Sequence, residues 1–506
     1  MPGETIPRVV RDAAQKWPDA PAVVDGARSE TFATLWRHCL KAAAAFAHAG
    51  LEAGDRVAIW APNSVDWIVA CVGAQAAGGV VVPLNTRLKG AEAAFILNRA
   101  RVRFLVVTAP FLGTDYQALL AEQKLPHLER MIMFGADWNV FLEAVQPTAE
   151  TEARALAVDG EQPADIMFTS GTTGDPKGVV AGHEQTCRTF RSWVASVGLR
   201  AGDRYLIVNP FFHSFGYKAG WLTCMMAGAT AYPMATLDVP KLVDLVQTHK
   251  ITVLPGPPAI FQTLLANDRK GADLSSIRLA VTGAANVPPA LIERMRTDLG
   301  IANVLTGYGL TESCGTVTMS RADDPAEVVA RTCGLPIEGV EVRCVDASGQ
   351  EVPRGEQGEV VVRGYNVMQG YFEDPEATAE AIDSEGWLHT GDVGRFDEAG
   401  RLMITDRLKD MYISGGFNCY PAEIEKALQQ HPDVAIAAVI GVPDERLGEV
   451  GKAFIVPVAG RSPAPEALLT WARERLANYK APRFVEVVSA LPMNAAGKVR
   501  KVDLRS

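Results

Sequence analysis

Residues 168–178 read Phe-Thr-Ser-Gly-Thr-Thr-Gly-Asp-Pro-Lys-Gly, with six hydroxyl or glycine residues in unbroken succession: Thr169, Ser170, Gly171, Thr172, Thr173 and Gly174. Glycines let a backbone turn tightly and approach a ligand closely. Successive backbone N–H groups, helped by hydroxyls, then make a cradle for phosphate oxygens, and Lys177 adds a point charge. A Ser/Thr/Gly linker would share this composition. Here, however, Asp165-Ile-Met-Phe168 reads as a short buried strand leading into the run. A Walker loop is excluded by spacing, because it needs Gly-x-x-x-x-Gly-Lys-[Ser/Thr]. Counted from Gly171, the sixth position is Pro176, and Lys177 is followed by Gly178.

Five further stations lie downstream. Gly307-Tyr308-Gly309 precedes Leu310, Thr311 and Glu312, setting an aromatic between glycines ahead of a hydroxyl and a carboxylate. Such a carboxylate suits Mg²⁺, a hard cation that binds carboxylate and phosphate oxygen; a plain strand–turn–helix junction accounts for the pattern equally. Trp387-Leu-His-Thr-Gly-Asp392 ends in a carboxylate able to accept two ribose hydroxyls, or in an ordinary Asp turn. Asp406-Arg-Leu-Lys-Asp410 is a charged linker or a hinge. Ser414-Gly415-Gly416-Phe417 lets a thin substrate pass close to the backbone, or simply turns the chain into a helix. Leu491-Pro-Met-Asn-Ala-Ala-Gly-Lys498 offers either a surface lysine or a point charge for a developing negative centre.

These stations need a scaffold. Helix and strand periodicities alternate through the first two thirds: helices over 31–50, 64–77, 90–100, 219–227 and 240–249, and strands over 56–60, 79–83, 104–107, 204–208, 229–232 and 251–254. That alternation predicts βαβ units and parallel sheets. From about residue 333 the pattern shifts to twos, at 340–345, 358–363 and 401–405, predicting a small β subdomain. Beyond it, proline-started helices at 421–428 and 465–476 flank strands at 434–441 and 452–458. The expected fold is α/β: a large N-terminal domain, 1–408, of layered sheets with the β subdomain at about 333–408, then a small mobile α+β domain, 409–506.

The 506 residues are 48% apolar and 21% charged, with a net charge of −10 and no basic block. Nucleic acid is thereby excluded as the main partner. Eight cysteines with no C-x-x-C pair predict reduced thiols in a cytoplasmic protein. The longest apolar stretch, Ile68 to Leu84, is interrupted by Gln75, Gly78, Gly79 and Pro83, so no integral membrane segment is expected.

Taken in order over roughly residues 10–502, the six stations resemble the adenylate-forming superfamily of acyl-CoA synthetases, adenylation domains and luciferases. The resemblance implies that Thr169–Gly174 and Lys177 hold the ATP phosphates. It makes Gly283-Ala284-Ala285 and Gly307-Tyr308-Gly309 the walls of the adenine pocket, Thr311 a phosphate contact and Glu312 the Mg²⁺ ligand. Asp392 and Arg407 become ribose contacts, Lys409 a hinge, and Ser414 to Phe417 the lining of a CoA tunnel. Lys498 matches the lysine that bridges carboxylate and α-phosphate. The resemblance further allows a homodimer and regulatory acetylation at Lys498, which would remove that charge.

Pro210-Phe-Phe-His213-Ser214-Phe215-Gly216 resembles the family's acyl-pocket segment. No acidic residue occurs from Phe211 to Leu237 to pair with an amine, so a plain carboxylic acid is expected over an amino acid. Lys218, Trp221 and Cys314 are placed at the same pocket, with His213 among the catalytic group. Lys218 stands in apolar company, either as a helix-end lysine snorkelling to water or as a donor to an oxygen of the acyl substrate or to a CoA phosphate. The segment around it most resembles synthetases that activate a steroid-derived indanedione propanoate. Expected alternatives are a general medium- or long-chain fatty-acid–CoA ligase and a stand-alone adenylating enzyme that loads a carrier protein.

Overall fold

The short β-branched runs and amphipathic helices assemble around two large sheets and two small ones. The computed structural model describes residues 3–169, 176–266, 271–283, 287, 289–414, 417–444, 447–476, 479–493 and 498–505. Side chains at 407, 409, 413, 417, 418 and 448 are not among the described ones. Backbone contacts group the chain into two compact units, Met1–Glu341 with Val362–Leu388, and Val342–Val361 with His389–Ser506.

The first unit holds a seven-stranded sheet in the order Gly370–Tyr371, Lys177–Gly182, Pro163–Thr169, Val80–Pro83, Arg56–Trp60, Val102–Val107, Arg130–Met133. Its central pairs are parallel, as the βαβ alternation requires. Pro163–Thr169 and Lys177–Gly182 instead pair antiparallel, with Thr169 opposite Lys177. The unit's nine-stranded sheet runs parallel through Thr230–Pro233, Arg204–Ile207, Val253–Gly256, Leu279–Gly283 and Asn303–Tyr308.

Helix Val65–Ala76 shows why these layers hold. Ser64 caps it, its hydroxyl accepting from Trp67 N, and every helix residue except Asp66 is buried. A helix apolar on all sides belongs inside a core. Its one long polar side chain, Gln75, is fully satisfied: Nε2 donates to Ala164 O at 3.0 Å and to Tyr217 Oη at 2.8 Å. Asn63, just ahead, donates to Asn209 O at 2.9 Å and accepts from Phe211 N at 2.7 Å. A polar seam therefore links the seven-stranded sheet and its helix to the segment beyond Arg204–Ile207.

In the second unit, Phe417–Cys419, Tyr412–Ser414, Gly448–Pro457, Val434–Asp444 and Phe484–Val487 form one sheet. Helices Pro421–Gln429 and Pro465–Arg475 start on proline as expected. The first has no cap of its own. Asp406 supplies one, its carboxylate accepting from Ala422 N at 2.9 Å. Strands Leu388–Phe396 and Leu402–Arg407 are the antiparallel end of a four-stranded sheet. Among the described residues no helix is long and apolar enough to cross a membrane. Seven of the eight cysteines, all but Cys333, are buried.

Candidate active site

The antiparallel pairing of Thr169 with Lys177 fixes which elements flank the hydroxyl and glycine run. A Walker loop leads from a strand into a helix; this run leaves a strand and returns as its neighbour. Thr169 Oγ1 donates to Lys177 O at 3.5 Å across the closing rung. Ser170 through Gly174 lie outside the described residues.

Glu312 stands on a short 3-10 turn, Thr311–Ser313, that comes after strand Asn303–Tyr308. Gly309 is required here, since a Cβ would lie 2.3 Å from Gly315 O. A partner that sequence reasoning missed orients the carboxylate: Tyr371 Oη donates to Glu312 Oε1 at 3.0 Å. The Tyr371 ring also lies 5.0 Å from Lys177 Nζ, a cation–π distance. Burial, with the Glu312 carboxylate second, pushes the Tyr371 phenol well above its ordinary pKa, so it stays a donor. Backbone bonds fix this geometry, with Met368 N donating to Glu312 O at 2.8 Å and Phe372 N to Gly178 O at 2.7 Å. Gly370-Tyr371 pairs with Lys177–Gly182, so the Glu312 turn and the strand leaving the phosphate run share one scaffold. Gly370-Tyr371 ahead of Pro375 was the available signal; only the pairing gives it meaning.

Gly283 and Gly307 are direct neighbours on parallel strands, which brings those two expected adenine walls together. Ala284 and Ala285 lie outside the described residues. Tyr308 is half-buried beside them. Among the described residues no three His, Cys, Asp or Glu side chains cluster into a metal cage. A single oriented carboxylate suits a magnesium ion carried largely by substrate phosphates, which keeps few protein ligands.

At the acyl segment, His213 is exposed and its Nδ1 accepts from Phe215 N at 3.1 Å, capping the turn Ser214–Gly216. Gly216 is packed against carbonyls; a Cβ would lie 2.2 Å from Pro210 O. Ser214 is buried and Phe215 half-buried. The regular helix expected over 219–227 does not form in full, because Tyr217–Leu222 is a π-helical turn kinked at Gly220. The carbonyls this turn frees are taken by Tyr205 Oη, 2.7 Å from Ala219 O, and Thr223 Oγ1, 2.8 Å from Gly220 O.

Snorkelling of Lys218 to water is overturned. The residue is 1% exposed, and its ammonium lies 3.0 Å from the carboxylate of Asp165, which is 0% exposed. Burial works against the Lys218 charge, but the Asp165 carboxylate, with Cys314 next, holds its pKa above the ordinary lysine value. The sequence carries no local signal of this pair, because its members are far apart along the chain. Trp221 is also wholly buried, stacked on Tyr217 with ring centres 5.2 Å apart, so its ring is core. Cys314 is buried with φ 54°, and burial raises its thiol to about 11.

In the second unit, Asp392 faces Arg407 across the antiparallel strands Leu388–Phe396 and Leu402–Arg407. Asp392 is buried, and its backbone N–H donates to Thr390 Oγ1 at 3.1 Å. Glu359, another residue the sequence did not single out, steadies the approach: it bonds His389 Nδ1 at 2.9 Å and accepts from Gly391 N at 3.1 Å. Lys409 lies in the short turn Leu408–Asp410. Ser414 is buried and pairs with Phe417, while Gly415 and Gly416 lie outside the described residues. Lys498 is exposed, directly before the bridge between Val499 and Met493.

Residues 10–372 match the family model of the AMP-binding enzyme, and residues 423–498 that of the AMP-binding enzyme C-terminal domain. The chain belongs to the AMP-binding enzyme family. It is 48% identical, over 99% of its length and 98% of theirs, to two proteins named 3-[(3aS,4S,7aS)-7a-methyl-1,5-dioxo-octahydro-1H-inden-4-yl]propanoyl:CoA ligase, from Rhodococcus jostii (strain RHA1) and Mycobacterium tuberculosis (strain ATCC 25618 / H37Rv). It also resembles the anthranilate CoA ligase AuaEII, solved in complex with anthranoyl-AMP. That likeness has a TM-score of 0.90 at 28% identity and covers 100% of this chain and 97% of the other. This AMP-binding enzyme is an acyl-CoA synthetase, an acid–thiol ligase, as the resemblance implied. Its α/β layers with a separate C-terminal domain are likewise borne out.

Proposed function

We propose that this synthetase converts a bulky alicyclic carboxylic acid, best exemplified by a steroid-ring-derived indanedione propanoate, with ATP and CoA into acyl-CoA, AMP and pyrophosphate. Full-length similarity to two ligases named for that propanoate carries the reading.

A carboxylate acylates poorly because its leaving group is oxide. Attack on the α-phosphorus forms an acyl adenylate and releases pyrophosphate, an in-line displacement in which positioning and charge neutralisation supply most of the catalysis. Lys177 and the hydroxyl run from Thr169 hold the phosphates, with Thr311 beside them. Glu312, aimed by Tyr371, would hold Mg²⁺, which when bound would neutralise phosphate charge. Gly283, Gly307 and Tyr308 wall the base, Asp392 and Arg407 hold the ribose, and the segment from His213 takes the acid. Lys498 bridges carboxylate and α-phosphate in this first step. In the second, the chain turns about Lys409, Lys498 withdraws, and Ser414–Phe417 line the path of the CoA thiol to the adenylate carbonyl. The backbone grouping that places 342–361 and 389–408 with the C-terminal residues concerns packing; the pivot at Lys409 concerns motion and is part of this proposal.

A pyrophosphate-release panel of carboxylic acids, run with and without CoA, tests the reading. The bicyclic dione propanoate should give the highest kcat/KM and a CoA thioester as product. Preference for straight-chain fatty acids would overturn the substrate, and turnover only with a phosphopantetheinylated carrier protein would overturn CoA as acceptor.

A further inference from the structure

Two substrates must meet head-on in the first step. Strand Pro163–Thr169 carries the phosphate run and belongs to the seven-stranded sheet. The acyl segment extends from Arg204–Ile207 of the nine-stranded sheet. Something must keep the two in register. Asp165 lies on the first strand just ahead of Thr169, and Lys218 lies in the π-helical turn just after His213. Their charged ends sit 3.0 Å apart with neither side chain reaching solvent.

A buried ion pair is an uneconomical way to hold a core together. Desolvating both charges offsets most of their attraction, and well-packed apolar residues of similar volume serve stability as well or better. What the pair adds is direction, because an ammonium and a carboxylate fix each other's position where apolar side chains slide. The surroundings reinforce this. Tyr217, the neighbour of Lys218, is held by Gln75 Nε2, which also donates to Ala164 O beside Asp165. A π-helical turn is a frequent mark of a functional site, and this one sets Lys218 toward the neighbouring sheet.

We propose that Asp165 and Lys218 are a positioning couple for acid activation, locking the strand of the phosphate run to the turn of the acyl segment so that carboxylate and α-phosphate meet in line. The couple touches neither substrate; it sets the distance between the elements that do. This inference rests on the acyl-CoA synthetase reading above.

The test compares the full-length parent with Asp165→Leu/Lys218→Met and with Asp165→Asn. Each is measured for melting temperature and, in pyrophosphate release with the parent's best acid, for kcat and for KM toward ATP and toward the acid. The double variant should melt within a few degrees of the parent yet lose at least about tenfold in kcat, with KM for ATP within about twofold. Asp165→Asn, which keeps the shape and removes the charge, should also lose kcat with KM for ATP unchanged. A double variant with the parent's kcat would overturn the proposal and leave the pair purely structural. A changed KM with unchanged kcat would overturn it as well. So would a double variant that fails to fold, since the pair would then be a folding requirement. A parent for which no acid in the panel supports pyrophosphate release would instead overturn the enzymatic reading, so the two failures are distinguishable.

Discussion

Two lysines in two regions of this molecule stand at opposite extremes. Lys218 is sealed in the first unit, 1% exposed against Asp165; Lys498 is exposed in the second, directly before the bridge residue Val499. Both stand out in the sequence as candidate substrate contacts. The structure gives the first a permanent partner and a fixed place, which suits a residue that positions others. The role proposed for the second is to arrive at a reaction centre and leave it, as a charge needed in one step only. A lysine's chemistry thus depends on the rigidity of what carries it as much as on its own pKa.

Removing the exposed lysine is the largest test of that contrast. Lys498→Ala should lower pyrophosphate release by about a hundred- to a thousandfold, while thioester formation from supplied acyl adenylate persists and melting temperature holds. Equal loss of both steps would erase the distinction between a visiting charge and a fixed one. A smaller effect is expected at the Glu312 turn. Tyr371→Phe keeps the ring over Lys177 and removes one hydrogen bond to a carboxylate, a change worth about 1–2 kcal/mol. Calorimetric titration of Mg·ATP should show affinity weakened by roughly tenfold, with KM for the acid unmoved; unchanged affinity would mean that Glu312 is oriented by its backbone alone.

The smallest effect reads the burial around Lys218 through a neighbour. His183 is buried, and burial first, then Lys218 and Arg8, push its pKa down to about 3. Its Nδ1 accepts from Ile6 N, so the folded chain needs the neutral ring. The unfolded chain takes up the proton near the ordinary histidine value, so stability is complete above that pH and is lost as pH falls toward 3. Between pH 8 and pH 6 this group should remove ~0.8 kcal/mol of unfolding free energy. Urea titrations at the two pH values check it, and His183→Gln should flatten that part of the difference.

How much of this was legible in the sequence depends on range. Helix Val65–Ala76 and strands such as Arg56–Trp60 arise from local periodicity and capping, so they emerge within a residue or two of their expected ends. The phosphate run and the Glu312 turn were visible because glycine and hydroxyl spacing is itself local. Tyr371 with Glu312 and Asp165 with Lys218 were not, because each pair is closed by sheet topology over more than fifty intervening residues. The π-helical turn was missed for another reason. Its extra residue is stabilised by hydroxyls of Tyr205 and Thr223, and helical periodicity does not register them.

The buried cysteines carry a consequence for an enzyme that makes thioesters. An acyl adenylate is an electrophile built to be taken by a thiolate, and the protein that forms it must not supply one. Burial raises the thiols of Cys39, Cys71, Cys187, Cys224, Cys314, Cys344 and Cys419 above their ordinary value. Near neutral pH these seven side chains are therefore protonated and shut away from solvent, leaving the adenylate to the thiol of CoA. The packing that excludes water from the core thereby also keeps these seven thiols from competing for the acyl group.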